Sequence, residues 1–136
     1  MRMRVVLAIA LCLGVVAQTP RSATGRWVAS SKTAYSITGD VVLEPTAITM
    51  LGKRYPLTFV RAGQPATVRL FKTLISKNVK LVNGNDLCGK QDATWLRVAQ
   101  QGDDLELAFF FGANEPRLDE EGPALCGTFY YTRPAK

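Results

Sequence analysis

Apolar residues recur at every second position along nearly the whole chain, and nowhere at the i, i+3, i+4, i+7 spacing of a helix sustained over three turns. Side chains two apart share one face of a strand, so this pattern predicts strands with one buried face. The expected fold class is all-β: a small antiparallel β-barrel of seven or eight strands in a meander, with a sandwich as the alternative. Turn chemistry marks the breaks at Gly39-Asp40, Glu44-Pro45-Thr46, Gly52-Lys53, Ala62-Gly63-Gln64-Pro65 and Gln101-Gly102-Asp103-Asp104.

Individual strands follow from the alternation. Arg26 to Ser30 carries Trp27, and a second segment, Ala34 to Thr38, comes after the polar turn Ser31-Lys32-Thr33. Val41 to Glu44 pairs with Ala47 to Leu51, which places Val41, Leu43, Ile48 and Met50 on one face. Arg54 to Val60 reads as one strand, in which Pro56 has no N–H to donate and so marks an edge, a bulge or a strand start. Ala66 to Lys72 follows with Val68 and Leu70 alternating against Phe71, and Thr73 to Ala93 is a long irregular connection. Thr94 to Gln100 bears Trp95, Leu105 to Phe111 is the strongest strand, Gly112 to Ala124 is an acidic loop, and Leu125 to Arg133 closes the chain.

The two ends of the sequence differ in kind. Met-Arg-Met-Arg followed by the uncharged run Val5 to Val16 has the form of a secretory signal peptide, with small residues before a cut after Ala17. Twelve apolar residues are too few to span a bilayer, which takes about 20 in a helix. Cys12 follows Leu11, the wrong neighbour for lipid-modifying cleavage. The expected division is a signal peptide at 1–17, a flexible lead at 18–24 and one domain at 25–136. Of 17 Lys and Arg, Arg2 and Arg4 leave with the leader, so the mature charge is 15 − 11 = +4. That charge is scattered and lacks the block of like charges that would mark a nucleic-acid arm.

With Cys12 removed, Cys88 and Cys126 remain, and two cysteines in an exported chain predict a disulfide. A metal or haem site lacks material: the chain has no histidine and no C-x-x-C. Without histidine, acid–base chemistry falls to carboxylates, Lys or Tyr, and none sits in a plainly apolar run; Ser30, Ser31 and Lys32 are neighbours in a polar turn, not a nucleophile and its base. No catalytic residue, cofactor or metal is therefore expected. Glu115, Asp119, Glu120 and Glu121, with Asp103 and Asp104, match no calcium-loop spacing and read as solvated turns.

Aromatics supply the candidate binding surface. Phe109-Phe110-Phe111 puts rings on both faces of one strand, and Phe71 and Tyr130 fall opposite their strands' expected core residues. Such rings form an apolar patch, or a strand covered on both sides by the N-terminal segment. Trp27 and Trp95 line the interior or fill it. The candidate ligand or partner surface is thus Trp27, Phe71, Trp95, Phe110 and Tyr130. The Thr73 to Ala93 loop, with Lys77, Lys80 and Lys90 beside Asp86 and Asp92, is a second candidate for recognition.

The Gly25-Arg26-Trp27 opening, the barrel-sized exported chain and the single disulfide resemble the periplasmic metalloprotease-inhibitor family of small β-barrels, whose members insert an N-terminal trunk into the protease. In that family the cysteines lie early in the barrel, whereas Cys88 and Cys126 lie late. Ser36 to Val41, Leu87-Cys88-Gly89 and Leu125 to Phe129 resemble small exported bacterial proteins of unassigned activity. The expected function is a non-enzymatic periplasmic or secreted binding module, inhibitor-like in binding a protein through a barrel; the alternative is a carrier of a small apolar ligand in the barrel interior. The expected partner is an envelope or secreted protein or that ligand, with no nucleic acid and no transmembrane segment after leader removal.

Overall fold

The computed structural model describes residues 22–64, 66–119 and 121–135, so the leader expected at 1–17 lies outside the described residues. Nine strands form among the described residues: β1 (Gly25–Ala29), β2 (Val41–Glu44), β3 (Ala47–Met50), β4 (Lys53–Pro56), β5 (Thr58–Ala62), β6 (Val68–Ile75), β7 (Ala93–Gln101), β8 (Asp104–Phe111) and β9 (Leu125–Thr132). All pair antiparallel in one sheet of order β4-β3-β2-β1-β9-β8-β7-β6-β5, so each strand except β4 neighbours the next in sequence and β1 meets β9. This is the all-β antiparallel meander that the alternation predicts. Among the described residues, no helix is long and apolar enough to cross a membrane.

The ladder's edges, β4 and β5, are consecutive in the chain and separated by Leu57 alone. Leu57 N donates to Thr46 O at 2.8 Å on the β3 side, and Thr73 Oγ1 donates to Pro56 O at 2.8 Å on the β6 side. The hydrogen-bonded ladder thus stops at β4 and at β5, while the chain itself carries the sheet from one edge to the other. The segment read as one strand, Arg54 to Val60, is therefore split. Pro56 has no N–H, and a bulge at Phe59/Arg61 follows.

The enclosed face is the main core. Val41, Leu43, Ile48 and Met50 share it as the pattern predicts, together with Trp27, Leu57, Leu96, Val98, Leu107, Phe109, Phe129 and Tyr131. Phe109 and Phe129 meet edge to face at 5.9 Å. Phe71 also lies on this inner face, while Leu70 belongs to an outer cluster. The expected phase of β6 is thus reversed. Leu70 and Phe71 are both apolar and both buried, so alternation alone does not tell inside from outside there.

Ala34 to Thr38 is not extended but a single wide helical turn, closed by Gly39 N donating to Ala34 O at 2.8 Å. Its polar side chains compete for the backbone: Ser31 Oγ accepts from Ala34 N at 3.2 Å, and Ser36 Oγ donates to Lys32 O at 2.7 Å. Beside it, Asp40 fixes the start of β2 against β1, accepting from Ala29 N at 3.0 Å and from Arg26 Nη2 at 3.1 Å. The Ala29 N–H holds the Asp40 carboxyl below the usual aspartate range, against a smaller opposing effect of burial, with Arg26 helping.

One end of the sheet is closed by the helical turn and the 76–92 connection. Leu81 and Leu87 enter the core, Asn85 Nδ2 donates to Ser36 O at 2.8 Å, and Asp92 Oδ1 accepts from Lys77 N at 2.7 Å. Cys88 and Cys126 are bonded, with Cα atoms 4.8 Å apart, and tie this connection to β9. At the other end, Ser22 to Thr24 belong to the lead expected to be flexible, yet they are held. Trp27 Nε1 donates to Ala23 O at 2.8 Å, and Arg133, stacked 3.9 Å over the Trp27 ring, donates to Thr24 O at 2.9 Å and to Ser22 O.

Two outcomes follow from these contacts. The disulfide spans 38 residues, and loop-closure entropy assigns it about 4 kcal/mol. Cys88→Ser is expected to lower the thermal midpoint by roughly 15 °C; an unchanged midpoint in a calorimetric scan excludes a stabilising cross-link. Separately, the Tyr131 hydroxyl is buried and hydrogen-bonded to Thr38 Oγ1 at 2.5 Å, and burial raises its pKa well above that of free tyrosine, an effect the Thr38 bond partly opposes and nearby Asp40 reinforces. The folded state retains this proton after the unfolded chain has lost it, so its contribution is intact below about pH 10 and declines as pH rises further. Urea titrations between pH 9 and 11.5 are expected to show stability falling with pH in the wild type and a shallower fall in Tyr131→Phe; equal slopes contradict the assignment.

Candidate functional site

β7 and β8 are buried on both faces along their middles: Trp95, Leu96, Arg97 and Val98 in one, Leu107 to Phe110 in the other. On the outer face, Leu70, Trp95, Ala108 and Phe110 make a second apolar cluster, with Val60, Leu118 and Leu125 packed on it. The cover is the 112–124 loop, not the N-terminal segment. Arg61 Nη2 donates to Pro116 O at 3.3 Å and lies 3.7 Å from Glu115 Oε2, while Trp95 Nε1 and Thr94 Oγ1 donate to Gly112 O at 3.0 and 2.6 Å. Of the loop's acids, Glu115 therefore serves as a latch. Among the described residues, no three carboxylates or thiols group as metal ligands would.

The five aromatics of the candidate surface fall in three places. Trp27 and Phe71 are in the main core on the enclosed face, Trp95 and Phe110 lie under the loop on the outer face, and Tyr130 is 48 % exposed. Trp27 and Trp95 stand on opposite faces of the sheet and line no common space. The interior is occupied by Trp27, Phe109, Phe129 and Tyr131, each almost fully buried. A space of about 200 Å³ remains at the mouth by Ser22 to Thr24, over Leu57, Phe71 and Val98, with Phe59 and Arg69 on its rim. The Thr73 to Ala93 stretch is likewise engaged: β6 extends into it as far as Ile75, and Lys80 pairs with Asp86 at 2.5 Å.

Where the loop ends, the outer face opens into a groove of about 710 Å³. Its floor is one register row across four strands, Val68 opposite Ala99, Ala99 opposite Glu106, and Glu106 opposite Tyr130. Ser30 closes the far side: its N–H donates to Tyr130 O at 2.9 Å where the chain leaves β1. Asp104, two residues before Glu106 on the same face of β8, is exposed and lines the near end. Ala99 gives the groove its depth, because a larger residue between Val68 and Glu106 would fill it.

Arg97 positions Glu106 from below. Its side chain is 7 % exposed, lies 5.4 Å over the Phe110 ring, and brings Nη2 to 3.5 Å from Glu106 Oε1. Sequence reasoning named Tyr130 but missed Ser30's structural role, Ala99 and Glu106. The available signal was charge inside an apolar strand: Arg97 and Glu106 break β7 and β8, and the Gly102 turn sets them one diagonal step apart across the hairpin.

No protein-family model, no curated protein and no solved structure matches this chain.

Because Arg97 is buried between an aromatic ring and a carboxylate, Arg97→Ala removes packing and leaves both uncovered. The expected loss is roughly 2–4 kcal/mol in urea unfolding. Glu106→Gln, at the solvent-facing end of the same pair, is expected to cost less than about 1 kcal/mol. Equal costs for the two substitutions would contradict the placement of Arg97 as the supporting partner.

Proposed function

We propose that this protein is an exported, non-enzymatic binding module that receives a protein partner in the groove across β6 to β9. The observation that carries the reading is the contrast on the outer face. Where the 112–124 loop lies, every large aromatic is covered; beyond it stands a groove of about 710 Å³ with Tyr130 at its side and only Ala99 in its middle. An exposed aromatic beside a concave, partly apolar floor is the composition of a recognition surface.

Export is supported by the basic-then-apolar opening of the chain and by a bonded cysteine pair, which persists in oxidising compartments. The carrier alternative has less behind it, since aromatic side chains fill the interior and the space at the mouth is small for a ligand. An inhibitor-like role, in which the barrel occupies a surface of an envelope or secreted protein, belongs to the same reading.

Ala99→Trp fills the groove from an outward-facing position and leaves the core untouched. With mature protein as bait in an envelope extract, at least one protein is expected to be retained by the wild type and lost with Ala99→Trp at an unchanged thermal midpoint. Identical retention by both baits, or none by either, sinks the proposal.

A further inference from the structure

We infer that the groove's occupant is an extended, cationic peptide segment, one lysine or arginine side chain lying along Tyr130 with its charge between Asp104 and Glu106; this inference rests on the binding-module reading of the same groove. The argument begins with charge. The chain carries 17 Lys and Arg against 11 Asp and Glu, yet the charged side chains lining the groove are Asp104 and Glu106, with no Lys or Arg among them. The guanidinium of Arg97, which pairs with Glu106, is sealed below the floor against Phe110. An acidic recess attracts a group of opposite sign.

Geometry narrows the ligand further. Asp104 and Glu106 sit two residues apart on one strand face, about 7 Å along β8. That span brackets one ammonium or guanidinium group. Val68 and Ala99 give an apolar floor for an aliphatic stem, and the exposed Tyr130 at the side supplies an aromatic ring, a group that attracts cations. The backbone cannot be the reader, because β6, β7, β8 and β9 are each paired on both sides. An added strand has no edge to join here, so the peptide crosses the strands and is recognised by its side chains.

The test uses the mature, disulfide-bonded protein and three fluorescent nine-residue peptides in which serine alternates with lysine, glutamine or glutamate. Anisotropy titrations at 50 mM salt are expected to show the lysine peptide binding at least tenfold tighter than the glutamine one, with the glutamate peptide unbound. Raising salt to 300 mM is expected to weaken the lysine peptide several-fold. Asp104→Asn and Glu106→Gln are each expected to weaken it about fivefold and Tyr130→Ala about threefold, with the thermal midpoint unchanged in Asp104→Asn and Tyr130→Ala and lowered by no more than about 4 °C in Glu106→Gln, which loses its pairing with Arg97. Asp119→Asn, in the covering loop, is expected to change nothing.

Equal binding of the lysine and glutamine peptides, both abolished by Ala99→Trp, overturns the charge inference while leaving the groove reading intact. Binding of the lysine peptide that survives Ala99→Trp and Asp104→Asn places the cation elsewhere and overturns it as well. Absence of any lysine-peptide binding does the same, as does a neutral chito-oligosaccharide that binds more tightly and without salt dependence.

Discussion

Pro56 and Leu57 hold the two edges of the sheet together. Their backbone accepts from Thr73 on one side and donates to Thr46 on the other, so nine strands that would otherwise expose two open edges turn one face inward. An open edge invites pairing with other chains, and a bend of the chain from β4 into β5 removes most of that hazard without a closed ladder. The bend also explains the composition of the interior. A face curled on itself leaves a narrow space, and Trp27, Phe109, Phe129 and Tyr131 fill it without need of a second layer. The outer face is then left with water or with the loops for cover.

The loops divide that work according to where the chain is cross-linked. The 76–92 connection bears no regular strand, and on its own it would have many conformations to lose on folding. Its bond from Cys88 to Cys126 reduces that loss and delivers Leu81 and Leu87 to the open end of the core. The same cysteine lies at the start of β9, next to the end of the 112–124 loop, so one covalent link steadies both the end closure and the outer cover. The opposite end has no such bond. It relies on Arg133, whose guanidinium is fixed by the Trp27 ring and by two carbonyls of the incoming chain.

The legible part of the fold was the part with one wet face. In the β2–β3 hairpin β2 alternates cleanly, with Val42 exposed between Val41 and Leu43, and both the pairing and the inner face follow from the residues alone. The cysteine pair follows from count and context. Reading fails where both faces are buried: in β6 to β8 apolar residues run consecutively, so Phe71 and Leu70 exchange faces and Trp95 turns outward without any sign in the pattern. It fails again at Ala34 to Thr38, where β-favouring Tyr, Ile and Thr are overruled by Ser and Thr side chains bonding to the local backbone. Of the site, Tyr130 was legible as an outward ring. The groove beside it was not, because its depth comes from a small residue, Ala99, whose significance depends on three neighbouring strands.

A buried cation in β7 is costly in a strand that needs only apolar contacts, and packing gives a reason for its presence. The covering loop stops at Phe110, and the next outer row must pass from a dry interior to an open surface within one step of about 7 Å along the strand. Arg97 makes that passage: its stem and guanidinium plane lie on the Phe110 ring at the dry side, and its charge meets Glu106 at the wet side. A hydrophobic residue there would extend the apolar cluster into the groove floor, while a short polar one would leave the ring uncovered. The same side chain therefore ends the outer core and places a carboxylate at the rim of the recess, so the covered and open parts of this face depend on a single boundary residue.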